Sequence, residues 1–245
     1  MKDAYLISDA HLGIESPAKE AEKKRALLAF LNEVASKGSA LYVLGDLYDF
    51  WFEYRRGVSV SDSAVADVLS RLVSNGTEVT YIAGNHDYWL GPYWTERGVK
   101  ISRGPLSARI QGKTVFMAHG DGLGSVEPGY LLVKWLLRNK VSVSLYSCLG
   151  RRMGNGIAVM VSKMSRAKSN RAVPRMTEGL LRYAMLRFKE GYDIVVCGHI
   201  HNPTVIKEDG RIFCLLGDWM THFTYARMRE GNLELLRWRG DERRM

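Results

Sequence analysis

The sequence predicts a layered α/β fold, and three observations lead there. Short β-rich runs alternate with helical patterns from Ala4 to Ala118, each of these runs ends directly in a polar cluster, and after Tyr192 the chain returns to closely spaced strands. At 245 residues and 46% hydrophobic content, the chain can bury one sizeable core and is short for two independent domains of ordinary size.

Taken in order, residues 4–8 read as a strand, 17–37 as a helix and 41–44 as a strand. A helix over 61–75 precedes a strand at 78–83, and 113–118 forms a further β run. From 128 to 190 the pattern is helical and basic, punctuated by Gly150, Gly154, Gly156 and Pro174. Strands follow at 193–197, 204–207, 212–216, 223–228 and 233–238, with Glu208-Asp209-Gly210 and Glu230-Gly231-Asn232 as hairpin turns. The expected organisation is one catalytic domain, residues 1–127 and 191–245, interrupted by a helical insertion at 128–190.

The charge is uneven. The insertion carries 13 lysines and arginines against Glu178 and Glu190, while the rest of the chain is close to neutral. A segment of that kind meets something anionic: nucleic acid, a phospholipid surface or a polyanionic substrate. Cys148, Cys197 and Cys214 are too few and too widely spaced for a disulfide framework or a thiolate zinc site, so no disulfide partner and a reducing, cytoplasmic compartment are expected. The N-terminal segment lacks the pattern of a signal peptide, and no apolar stretch is long enough to span a membrane.

Five polar clusters stand at the ends of β runs: Asp9-x-His11, Gly45-Asp46-Leu47-Tyr48-Asp49, Gly84-Asn85-His86-Asp87, His119-Gly120-Asp121 and Gly198-His199-Ile200-His201. They contain five of the six histidines. One histidine past a strand is usually a capped or solvated side chain; five clusters at strand ends are explained together by a metal centre, since ligands collect where loops leave a sheet. Two divalent cations roughly 3.5–4 Å apart require a bridging carboxylate, several imidazoles and an amide or carboxylate oxygen, with positions left open for water and a phosphoryl oxygen. Nitrogen and oxygen donors without thiolate suit manganese, iron or zinc, with cobalt and nickel as further alternatives.

In this order and spacing the clusters resemble the calcineurin-like metallophosphoesterase superfamily, from Asp9 to His201. The resemblance implies a four-layer β-sandwich flanked by helices, with the insertion as a cap over the active site. It implies two divalent metal ions, manganese first: one on Asp9, His11, Asp46 and His201, the other on Asp46, Asn85, His119 and His199. It further implies that His86 donates a hydrogen bond or proton to the departing oxygen and that Asp87 orients its ring. Asp49 and Asp121 read as partners of ligand histidines or of backbone amides, or equally as turn caps.

Within the superfamily the chain most resembles the bacterial UDP-2,3-diacylglucosamine pyrophosphatases of lipid A synthesis. The similarity rests on the run Gly45 to Phe52, on His119-Gly120-Asp121-Gly122-Leu123 followed by Gly129-Tyr130, on the position of the insertion, and on Gly217-Asp218-Trp219. It implies hydrolysis to UMP and 2,3-diacylglucosamine 1-phosphate. Glu127 and Tyr130 read as contacts to the sugar or phosphate, or equally as helix-start residues, and Lys163, Arg166, Lys168 and Arg171 of the basic cluster as contacts to phosphate or uridine. The chain departs from that family's common pattern at His86 and Glu127. Apolar residues interleave with Lys134 and Arg138 and precede Lys163, a composition suited to a diacylated anion and to peripheral contact with the anionic cytoplasmic face of the inner membrane. Trp51, Phe52, Trp89, Trp94, Trp135 and Trp219 are expected to pack in the core or in loops. The competing expectations are a phosphodiesterase, nuclease or phosphoprotein phosphatase on the same centre, and a non-catalytic scaffold. A nucleic-acid groove would more often interleave aromatics between its charges, and no ligand position is missing.

Overall fold

The computed structural model describes residues 2–55, 57–60, 62–124, 134–135, 137–148, 156 and 173–240. Chain order begins β1 (Asp3–Ile7), α1 (Pro17–Lys37), β2 (Gly38–Leu44), α2 (Ala64–Ser74) and β3 (Glu78–Ile82). The one-turn α3 (Pro92–Thr95), β4 (Lys100–Ser102), β5 (Leu106–Ile110) and β6 (Lys113–Ala118) follow. Two insertion helices are described, α4 (Lys140–Cys148) and α5 (Val173–Lys189). The chain closes with β7 (Ile194–Cys197), β8 (Thr204–Glu208), β9 (Arg211–Leu215), β10 (Thr224–Arg229) and β11 (Asn232–Arg237).

These strands form two sheets, one in the order β11-β10-β1-β2-β3-β4 and one in the order β5-β6-β7-β9-β8. Within them β1, β2, β3 and β4 run parallel, as do β6, β7 and β9, while β5, β8, β10 and β11 are antiparallel additions. Strand side chains alternate between faces, and the cores divide accordingly. Tyr5 and Ile7 of β1, with Leu41 and Val43 of β2, pack under Leu27, Phe30 and Leu31 of α1 and Leu69 and Leu72 of α2. Their neighbours Ala4, Leu6, Tyr42 and Leu44 point the other way, against Val115, Met117, Ile194 and Val196 of the second sheet. That sheet's far face, with Phe116, Val195, Cys197 and Phe213, packs against Leu180, Ala184 and Phe188 of α5. Helix, sheet, sheet and helix make the four layers expected from the sequence, and two-sided burial explains why the parallel strands are almost uninterruptedly apolar.

Both expected hairpin turns have the left-handed backbone of a two-residue turn, at Asp209 and Gly210 and at Glu230 and Gly231. Three elements, α3, β4 and β5, stand beyond those expected from the sequence. The first two are one turn and three residues long, too short for a period to register; β5 alternates Leu106, Ala108 and Ile110 with Ser107 and Arg109, which is a legible strand signal. Strand β2 starts at Gly38 rather than Leu41 because the chain leaves α1 in extended conformation and pairs at once with Asp3. Trp51, Phe52, Trp94 and Trp219 are buried as expected, whereas Trp135 is 66% exposed.

Candidate metal centre

Every cluster picked out in the sequence sits where a parallel strand ends. Asp9 and His11 follow β1, Asp46 follows β2 and Asn85 follows β3; His119 follows β6, and His199 and His201 follow β7. The loops from the two sheets meet and continue the strand ladders by backbone bonds, with Asp9 N–H donating to Gly45 O at 3.1 Å, His11 N–H to Asp46 O at 2.9 Å and Gly198 N–H to His119 O at 2.8 Å. Two further bonds tie sheet to sheet: His119 Nδ1 to Leu44 O at 2.8 Å, and the His199 amide to Asp9 Oδ2 at 2.9 Å.

The backbone is strained at this junction. Asp9, His11, Asp46, His199 and His201 all have positive φ, between 42° and 70°. Such a conformation costs a non-glycine residue of order 1–3 kcal/mol and persists only where the surroundings enforce it. Gly84 serves another need, close approach. A Cβ there would lie 2.1 Å from Asp46 Oδ1, so only glycine lets this strand end press against that carboxylate.

Three sets of donor atoms lie within 4.8 Å of one another: Asp9, His11 and His201; His11, Asp46 and His86; and Asp46, His119 and His199. Asn85 joins the last set, its Oδ1 lying 3.0 Å from His119 Nε2. Asp46 Oδ2 stands 3.7 Å from His11 Nε2 and 3.3 Å from His119 Nε2, between the two halves of the centre. All seven side chains expected as ligands are therefore brought together. Asp9, His11, Asp46 and His119 form a buried floor, and Asn85, His86, His199 and His201 are partly open.

These donors fit a bound cation. Asp9 Oδ1 is buried without a hydrogen-bond donor, an expensive state for a charged oxygen. His11 Nε2 and His201 Nε2 face each other at 3.2 Å, and both lie within 3.8 Å of that oxygen. With its Nδ1 proton given to Leu44 O, His119 turns its Nε2 lone pair towards Asp46 and Asn85, three acceptors with no donor among them.

The electrostatics agree. Burial alone would lift the Asp9 carboxyl, yet His201 and His11 hold it well below the usual range; Asp46 is held down likewise by His119 and His86. Burial would lower His11 too, but Asp49, Asp9 and Asp46 push it up to about 10, and His119 is raised by Asp46 against the same burial. Burial and the charge of His119 bring His199 down to about 4, leaving it a neutral imidazole. The two buried carboxylates favour positive charge at His11 and His119, and a bound cation would answer the same demand in place of those protons.

One expected contact is corrected. Asp87 does not touch the ring of His86: its Oδ1 accepts the Gly84 amide at 2.7 Å, and its Oδ2 accepts the Leu47 amide at 2.9 Å and the Tyr81 hydroxyl. A fully buried carboxylate beside three donors binds those donors, so Asp87 joins the loops after β2 and β3. The ring of His86 is held by the Asp49 carbonyl, 2.7 Å from Nδ1, and Asp49 Oδ1 also faces His11 Nδ1 at 3.4 Å. Asp121 pairs with Lys134 at 2.7 Å and Arg138 at 3.0 Å, a link from the loop of His119 to the insertion that the sequence did not announce. The late Gly217-Asp218-Trp219 run also reaches the centre, through Trp219 N–H to Asp9 O at 3.1 Å. Glu127, Tyr130, Lys163, Arg166, Lys168 and Arg171, the expected substrate contacts, lie outside the described residues.

Fold and centre together define a phosphoesterase scaffold. Residues 4–203 match the calcineurin-like phosphoesterase family, and the chain belongs to it. A relative named UDP-2,3-diacylglucosamine hydrolase, from Porphyromonas gingivalis, is 30% identical, covering 91% of this chain and 92% of that protein. Another of the same name, from Azotobacter vinelandii, is 31% identical, covering 87% of this chain and 89% of its own. Among solved structures, Yfce, a phosphoesterase from E. coli, superposes with a TM-score of 0.49 at 13% identity, covering 96% of this chain and 93% of that one.

Gly84→Ala tests the packing of the centre. The added methyl must displace the Asp46 carboxylate, so metal titration by calorimetry is expected to give affinity lowered about 10- to 100-fold, with far-UV circular dichroism unchanged. Unaltered affinity would show that Asp46 is not held by this contact.

Proposed function

We propose that this chain is a dinuclear-metal hydrolase that cleaves the pyrophosphate of UDP-2,3-diacylglucosamine to UMP and 2,3-diacylglucosamine 1-phosphate. The observation that carries the reading is the gathering of four histidines, Asp9 and Asn85 around Asp46, in a chain similar along most of its length to hydrolases named for that substrate. In this reading Asp9, His11, Asp46 and His201 hold one divalent cation and Asp46, Asn85, His119 and His199 the other, manganese being the first candidate for a nitrogen and oxygen set without thiolate. When bound, such cations polarise the phosphoryl oxygens and acidify a water molecule.

The chain's own residues do the rest. In the reaction, water oxygen bonds to phosphorus, the bridging P–O bond breaks, and the bridging oxygen leaves with its phosphoryl group. His86 has its Nδ1 committed to the Asp49 carbonyl, which leaves Nε2 as its nitrogen for a hydrogen bond or proton to that oxygen. Asp49, rather than Asp87, fixes the ring. His11 and His119 keep Nε2 turned inward, towards Asp46.

The part of residues 128–190 that precedes α5 acts as the cap, since α5 itself packs as the outer layer of the sandwich. Arg138 reaches the loops of the centre: its Nη2 bonds Asp121 and lies 3.4 Å from Gly84 O, the carbonyl of the peptide that carries Asn85, while its guanidinium covers the Tyr88 ring. Lys134 pairs with the same carboxylate, so two cationic side chains stand beside this loop, suited to a pyrophosphate. Trp135, Val141 and Leu145, each about two-thirds exposed, supply apolar surface for acyl chains or for peripheral contact with the anionic face of the inner membrane. In the same reading Glu127, Tyr130, Lys163, Arg166, Lys168 and Arg171 complete the substrate contacts. No described helix is long and apolar enough to cross a membrane.

Metal-dependent release of UMP from UDP-2,3-diacylglucosamine is the deciding assay. Asp46→Ala is expected to abolish it, and His86→Ala to lower kcat about 100-fold or more. Full activity in His86→Ala would remove its assigned role; hydrolysis of nucleic acid in preference to the UDP-lipid would assign a different substrate. Arg138→Ala should raise KM about tenfold or more, the worth of a charge-assisted hydrogen bond, with kcat little changed. An unchanged KM would place Arg138 outside the substrate site.

A further inference from the structure

Lys23 occupies a position that helix periodicity reserves for an apolar residue. The buried face of α1 runs Lys23, Leu27, Phe30, Leu31 and Val34, the spacing of a single core-facing stripe. Lys23 is 2% exposed, and among the described residues it is the one lysine buried in the core. An ammonium group there is costly unless it is paired and hydrogen-bonded. A local rule broken in this way is expected where function demands it.

The partners of Lys23 identify the demand. Its Nζ donates to the carbonyl of His11 at 2.8 Å and pairs with Glu20, one turn earlier on α1, at 3.0 Å. Glu20 in turn accepts the amide of Gly13 at 2.9 Å and that of Glu15 at 3.2 Å. Two side chains of α1 thus grip the loop after β1 at three backbone points. That loop carries His11, at φ 42°, whose Nε2 faces His201 and Asp46. His119 and His199 have other supports, the Leu44 carbonyl and the Asp9 carboxylate, and neither involves α1.

We infer that Lys23 and Glu20 are positioning residues that hold His11 in its left-handed conformation and so set the cation affinity of the Asp9, His11 and His201 group separately from that of Asp46, His119 and His199. Drawing the His11 carbonyl towards α1 keeps the peptide turned and the imidazole directed at His201. Without the ammonium group that carbonyl keeps only the long bond from the Ile14 amide, at 3.4 Å, and the backbone relaxes to an ordinary φ that swings the ring away. The inference rests on the metal-centre reading given above.

The test is calorimetric titration of metal-free protein with Mn(II), together with thermal unfolding of the same metal-free samples, for wild type, Lys23→Met and Glu20→Gln. In wild type two equivalents are expected to bind. In Lys23→Met one of them should weaken about 10- to 100-fold, the range for a residue that orients a ligand, while the other is unchanged. The metal-free variant should unfold close to wild type, because a flexible apolar chain of similar length fills the space and the partly exposed Glu20 keeps the amides of Gly13 and Glu15. Glu20→Gln, which keeps one acceptor oxygen, should weaken the same equivalent by less. Two unchanged equivalents in both variants would overturn the inference, as would equal weakening of both with a lower metal-free Tm, which marks a general packing role. A wild-type protein that takes up no Mn(II) would instead overturn the metal-centre reading, and this inference with it.

Discussion

Two buried carboxylates govern this molecule. Asp9 and Asp46 both lie within 4 Å of a single imidazole nitrogen, His11 Nε2, and neither is exposed to water. Placing two negative charges so close in a protein interior is prohibitive unless cations or donors answer them. The answer comes from all sides: imidazoles from loops of both sheets, the amides of His86 and His199, and a remaining demand that suits a divalent ion. The family to which the chain belongs puts such a charge-hungry pocket to work on phosphate esters.

The fold supplies what those carboxylates need. Parallel strands in two stacked sheets end on the same side, so loops distant in sequence emerge close together, and bonds from His119 to Leu44 and from His199 to Asp9 lock one sheet's loops to the other's. Left-handed backbone at five of the donors is a cost carried by the cores beneath. Asp87 belongs to that support. Buried beside Asp46, with its carboxyl lifted to about 6 by burial and by that neighbour's charge, it spends both oxygens on the loops that present Asp46 and Asn85. Lys23 and Glu20 provide the equivalent support from α1.

Much of this was legible before any coordinates. Residue type and position relative to a strand end were enough to pick out the five clusters, because metal ligation restricts the side chain and parallel strands restrict where it can stand; the resemblance to the metallophosphoesterases then named Asp9, His11, Asp46, Asn85, His119, His199 and His201 within them. Orientation was not legible. Whether Asp87 or Asp49 meets the His86 ring depends on which donors lie within reach, and those come from Leu47, Gly84 and Tyr81. Lys23 was hidden for a different reason: in a sequence it reads as one of several charges near the start of α1, and its burial appears only when the stripe it interrupts is packed. The bonds from Asp121 to Lys134 and Arg138 likewise join positions that no periodicity connects.

The central claim is that Asp46 is shared by two cations. Electron paramagnetic resonance of the protein loaded with Mn(II) tests it most directly, since ions bridged at roughly 3.5–4 Å interact magnetically. The account predicts the spectrum of an exchange-coupled manganese pair, replaced by that of isolated ions when Asp46 is changed to alanine. A spectrum of isolated ions in the fully loaded wild type would contradict it.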